Sequence, residues 1–120
     1  MNYTLIESGD RKIVECDPTV VCLAGERDAL DLVAACGENR TDRLLIHAGN
    51  LTEDFYNLKT GVAGEILLKF TNYWIRVAAV LTPELAEEGR FGEMVRESNR
   101  GRDFRVYYDR EEAVRWLLSD

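Results

Sequence analysis

The sequence predicts one mixed α/β domain spanning residues 1–120, an N-terminal β-hairpin followed by a mostly parallel sheet of four to five strands with about four helices. Three observations carry this expectation. Two short β-type runs flank a Gly-Asp pair at the start of the chain. Leu44-Leu45-Ile46, and Ile75–Leu81 apart from Arg76, are apolar runs of the kind found in strands covered on both faces. Segments of helical periodicity separate these runs from each other and from Phe104–Tyr108, and such alternation implies right-handed crossovers between parallel strands.

The elements follow in order. Tyr3–Glu7 and Lys12–Cys16 form the hairpin around Ser8-Gly9-Asp10-Arg11, and Asp17-Pro18 breaks the second strand. Val20–Leu23 is apolar but has no clear assignment. Glu26–Cys36 reads as a helix with Leu30, Val33 and Ala34 on one face and Gly37 as its stop. After the buried strand Arg43–Ala48 comes an irregular polar segment, Gly49–Thr60. A helix of about 13 residues starts near Gly61 and carries Val62, Ile66, Leu67 and Phe70 at helical spacing. Thr82-Pro83 is a capped helix start, and Gly89 and Gly92 are expected to interrupt this third helical region before Gly101 ends it. Asp109-Arg110-Glu111-Glu112 resembles a capping box, and the final helix is expected to bury Ala113, Val114 and Leu117.

Composition narrows the class of function. An apolar content of 46% in 120 residues supports a real core without staples. The formal charge is −7, from 22 acidic and 15 basic side chains, which argues against nucleic acid as a partner. The acidic excess lies before Arg90; the last 31 residues hold seven acids and seven arginines, for which helical pairing such as Glu111 with Arg115 is the simple account. No apolar run reaches the roughly 20 residues of a membrane span, and no signal-peptide pattern precedes Asn2-Tyr3-Thr4. Cys16, Cys22 and Cys36 make no CxxC pair, so reduced thiols in a cytoplasmic protein are expected, and neither metal nor cofactor is called for.

In open α/β sheets ligands sit beyond the carboxyl ends of the parallel strands. The loop after Ile46 is long for a strand-to-helix connection and gathers polar residues. Its candidates for a ligand- or partner-binding surface are His47, Asn50, Thr52, Glu53, Asp54, Tyr56, Lys59, Gly61 and Gly64. Thr52-Glu53-Asp54 has the residues for acid and base work, but such a run more often caps a helical turn. His47 has no serine or cysteine placed beside it, so no triad is indicated. Lys59-Thr60-Gly61-Val62-Ala63-Gly64-Glu65 is suited to expose helix amides to an anion, or to bring a helix close to the sheet, the second use of glycine being the commoner. It is no P-loop, because Lys59 precedes the glycines.

The stretch from Asp42 to Tyr73, above all LTEDFYNLKTGVAGEILLKFTNY, resembles a bacterial family known only as domain of unknown function 4180. Glu97-Ser98-Asn99-Arg100-Gly101 and Glu111-Glu112-Ala113 fit the same pattern. The resemblance implies a stand-alone bacterial protein and brings no activity with it. The order of elements, with Thr60-Gly61-Val62-Ala63-Gly64 opening a helix, is also similar to STAS domains of anti-sigma factor antagonists. There a hydroxyl residue just before the glycine is phosphorylated by a partner kinase, and this resemblance gives that role to Thr60. The leading expectation is therefore a non-catalytic regulatory or interaction domain working through Asn50–Gly64. The alternatives are a small enzyme or metabolite-binding protein using His47, Asp54 and Lys59, and a homodimer made through the aromatic pair Phe55 and Tyr56.

Overall fold

A computed structural model of the chain describes residues 3–120. Strands β1 (Tyr3–Ser8) and β2 (Arg11–Cys16) pair antiparallel, and Gly9 supplies the positive φ of 61° that the tight turn between them demands. Helix α1 (Glu26–Glu38) leads to β3 (Arg43–His47). Two 3-10 turns around the single-turn helix α2 (Glu53–Tyr56) then reach α3 (Val62–Asn72) and β4 (Arg76–Val80). A single-turn α4 (Pro83–Ala86), α5 (Gly89–Ser98), β5 (Phe104–Tyr107) and α6 (Arg110–Leu118) complete the order.

The five strands stand side by side in chain order, β1-β2-β3-β4-β5, antiparallel at the hairpin and parallel from β2 onwards. The alternation of side chains across a strand divides the core in two. Val14, Leu44, Ile46, Val77 and Ala79 face α1, α2, α3 and α5, where Leu32, Phe55, Ile66, Phe70 and Phe91 join the same cluster. Ile13, Leu45 and Ala78 face the other way and are covered by Ala113, Trp116 and Leu117 of α6. Each fully buried Leu, Ile or Phe contributes roughly 1.5–3 kcal/mol, so the larger layer carries most of the stability.

Caps fix the helix starts. Thr82 accepts from the Leu85 amide with Pro83 at the first helical position, and Asp109 accepts from the Glu111 amide. Arginines fasten the far end of α6. Arg11 donates to the Ser119 carbonyl at 3.0 Å, Arg43 to Leu117 at 2.7 Å, and Arg76 to Trp116 at 3.2 Å, to Ser119 at 2.9 Å and to Asp120 at 3.0 Å. These three residues come from three adjacent strands, and their charges suit the negative end of a helix dipole. Arg76 and Arg105 also lie over the Trp116 ring, at 5.1 and 4.8 Å from its centroid.

Several sequence expectations are corrected. The buried stripe of α1 is Ala29, Leu32, Ala35 and Cys36, whereas Leu30 and Ala34 are exposed. Nearly every apolar residue of this helix has an apolar neighbour, so its phase was ambiguous by one position. The break in the third helical region falls at Glu87-Glu88. Gly92 lies buried within α5, where an added Cβ would come 2.5 Å from the Glu87 carbonyl oxygen. In α6 Trp116 is buried and Val114 only half-buried. Glu111 and Arg115 make no ion pair; Arg110 bonds Glu15 instead.

Candidate functional site

The carboxyl rim of the parallel strands is built around Asn50, which is completely buried. Its Oδ1 accepts from the His47 amide at 2.7 Å, and its Nδ2 donates to the carbonyls of Asp17 at 2.7 Å and Val20 at 2.8 Å. The Asn50 carbonyl accepts from the amides of Cys22 and Leu23. One amide side chain thus joins the loop after β2 to the loop after β3, and all of its own buried polar atoms are satisfied. A parallel bridge between Leu23 and Leu51 continues the junction. Gly49 is required here, because a Cβ would stand 2.3 Å from the Pro18 carbonyl oxygen.

Beyond the junction, Thr52 occupies the capping position of α2 without a capping bond, and Glu53 and Asp54 stand exposed in its first turn. Phe55 turns inward. Its ring meets Tyr56 and Phe91 edge-on, with centroids 5.9 and 6.0 Å away. The Tyr56 hydroxyl donates to the Ala48 carbonyl, and burial pushes this phenol up to about 12, so it stays protonated. Between this segment and α4–α5 lies an open groove of about 440 Å³. Tyr56, Leu58, Leu85 and Phe91 give it an apolar floor, and Lys59, Glu84, Glu88 and Arg90 give it a rim of both charge signs.

Thr60 is exposed beside the groove. Its hydroxyl lies 2.6 Å from the Asp54 carbonyl and 2.9 Å from that of Asn57, and it accepts from the Val62 amide at the start of α3. Gly61 has a φ of 79°, the left-handed backbone that explains glycine at this position. Gly64 is exposed with open space around its Cβ position, and Ala63 is the small residue turned to the core. The expectation that both glycines serve close helix–sheet packing is therefore corrected.

A second cluster lies on the α6 side of the same rim. Glu15, at the end of β2, is nearly buried and accepts from Arg110 through both oxygens, at 2.7 and 2.8 Å, and from His47 Nε2 at 2.7 Å. The carboxylate can only accept, so Nε2 carries a proton. The Arg110 bonds hold the Glu15 carboxyl below the ordinary 4.5 against the upward push of burial, and His47 adds to the lowering. Glu15 and Arg110 escaped the reading of the sequence. The available signal was an acid inside the apolar run Ile13-Val14-Glu15-Cys16, at the same strand phase as the covered Ile13.

The candidate residues divide accordingly. Tyr56 and Lys59 line the groove, with Thr60 and Gly61 next in the chain. Asn50 is locked in the junction, and His47 is engaged with Glu15 and in a reciprocal capping box with Asn50. Asp54 is outside the groove lining, so His47, Asp54 and Lys59 are not brought to one concavity. The three cysteines are free, and Cys16 and Cys36 are buried; burial pushes the Cys36 thiol up to about 12. Among the described residues no three His, Cys, Asp or Glu side chains converge as a metal site, and no helix is long and apolar enough to cross a membrane.

Fold and rim together define a class: a small α/β domain with a five-stranded sheet in chain order and an apolar, charge-edged groove at the carboxyl rim. Residues 8–117 match the family model described as domain of unknown function (DUF4180), and the chain belongs to that family. Neither the curated proteins nor the solved structures contain a match to it.

Proposed function

We propose that this chain is a non-catalytic interaction domain that docks a protein segment in the groove between the β3–α3 segment and α4–α5, under control of phosphorylation at Thr60. The observation that carries the reading is the groove itself: an apolar floor edged by Lys59 and Arg90 of one sign and Glu84 and Glu88 of the other. Such a lining suits a partner segment with an apolar anchor and charges of both signs. The exposed Leu85 and Tyr108 widen the apolar surface at this rim. The STAS-like element of the reading rests on Thr60, which precedes the left-handed Gly61 and the eleven-residue α3. Phosphate there would add about −2 charge beside Lys59 and the first amides of α3 and would alter docking.

The test is photo-crosslinking in the native host, with the reactive group placed at Leu85 in the groove or at the exposed Thr4 on the opposite edge strand. A discrete adduct from Leu85 and none from Thr4 is expected, with the Leu85 adduct reduced several-fold by Arg90→Glu or Thr60→Glu. Mass spectrometry of the purified protein should find phosphate on Thr60. Equal labelling from both positions sinks the docking site. A Thr60 free of phosphate, together with an adduct indifferent to Thr60→Glu, sinks the regulation.

A further inference from the structure

Helices α1 and α3 end in the same way. At the end of α1 the Arg40 amide donates to Gly37 and the Thr41 amide to Cys36; at the end of α3 the Trp74 amide donates to Thr71 and the Ile75 amide to Phe70. This bonding places Arg40 at φ 56° and Trp74 at φ 61°, in the left-handed region where glycine usually stands. They are the two non-glycine residues with positive φ among the described residues, whereas Gly9, Gly61 and Gly89 serve the other such positions. Trp74 is 86% exposed, so packing does not offset the strain of putting an indole there. Strain at a bulky residue that packs against nothing points to a role outside the fold.

Both residues stand at the amino rim of the sheet, opposite the groove. Arg40 lines a hollow of about 220 Å³ and Trp74 one of about 200 Å³, and Arg43 stands in the wall of both. The residues lining the two hollows include six bases against three acids, in a chain of net charge −7. Arg40 and Arg102 are exposed and make no ion pair among the described residues. Arg76 is held below its ordinary value by burial and by the neighbouring Arg43, Arg102 and Arg105, the mark of crowded like charges.

We propose that this rim binds a phosphorylated small molecule with a flat ring, a nucleotide in its simplest form, the ring stacking on Trp74 and the phosphates lying between Arg40 and Arg102. Guanidinium forks match phosphate oxygens two at a time, and an exposed indole offers a face to any planar base. Two adjoining hollows give room for more than one phosphate. Their size suits a small ligand, and the acidic surface elsewhere disfavours a long polyanion. The inference is independent of the groove and of Thr60.

The chain's two tryptophans make the test direct, since Trp116 is buried and Trp74 is exposed. Titration with ATP should quench tryptophan emission saturably, with the signal lost in Trp74→Phe. Equilibrium dialysis should show ATP binding at least tenfold weaker in a double variant, Arg40→Ala with Arg102→Ala, whose melting curve matches the parent's. Tripolyphosphate should bind more weakly than ATP and leave the emission unchanged, and adenosine alone should not bind. Absence of ATP binding in dialysis overturns the proposal, as does an affinity indifferent to the double arginine variant. Tripolyphosphate binding as tightly as ATP overturns the role given to Trp74.

Discussion

The two rims of the sheet face one physical problem, satisfying the backbone groups left over where strands and helices end, and they meet it with different side chains. At the carboxyl rim a neutral, fully buried amide does it: Asn50 holds three backbone partners from two loops within 2.8 Å. At the amino rim charged side chains do it, Arg11, Arg43 and Arg76 reaching beneath the sheet to the last carbonyls of α6. A buried amide loses everything when removed, because no water replaces it. Arginines at a partly wet rim leave groups that solvent can reach when they are removed. The neutral rim therefore depends on one residue, and the charged rim spreads the task over three.

The largest effect is expected at Asn50. Asn50→Ala strands the His47 amide and the Val20 carbonyl and leaves the Asp17 carbonyl with the Val20 amide alone, and should lower stability by about 3–4 kcal/mol, read as a fall in the urea midpoint. Should this variant unfold no more easily than the parent, the contrast between the rims is broken. Arg76→Met comes next. It removes the donors to Trp116, Ser119 and Asp120 and one cation over the indole, for a loss of about 2–3 kcal/mol. Arg76→Lys should recover less than half of that, since one ammonium cannot reproduce the fork.

Glu15→Gln sharpens the comparison through pH, because Glu15 is the charged exception at the carboxyl rim. Its folded-state value is depressed, so its contribution is present above 4.5 and is lost as pH falls below that value. The gap between parent and variant should be about 1–2 kcal/mol near neutrality and should close on acidification, as followed by melting curves across pH. A gap that stays constant down to acid pH would remove the ionised Glu15–Arg110 pair from the account. The smallest effect has the opposite sign. Trp74→Gly relieves the left-handed strain and should raise stability by up to about 1 kcal/mol in thermal melts. A loss of stability there would mean that the indole serves the fold after all.

Much of the architecture was legible in the sequence because periodicity is local. Leu44-Leu45-Ile46 and Thr82-Pro83 signal a strand and a helix start without help from distant residues, and both elements form. The phase of α1 was not legible, since Ala29, Leu30, Leu32, Val33, Ala34 and Ala35 are all apolar and only the sheet chooses among them. The loop after β3 was found from its length and polarity. The groove was not, because its other wall, Glu84 to Phe91, is brought there by the strand order. Glu15 and Arg110 lie 95 positions apart and meet only after three crossovers, so spacing carries no trace of them. Positive φ at Arg40 and Trp74 was equally hidden: helix-end bonding imposed it on residues that do not favour it.

The arrangement of α6 has a consequence for how the molecule comes into being. Among the described residues it is the one helix on its side of the sheet, and it follows all five strands in chain order. Until it emerges, Ile13, Leu45 and Ala78 form a bare oily strip on an otherwise assembled sheet, a surface open to chaperones and to self-association. The sheet is therefore most vulnerable in the interval between the emergence of its last strand and that of α6.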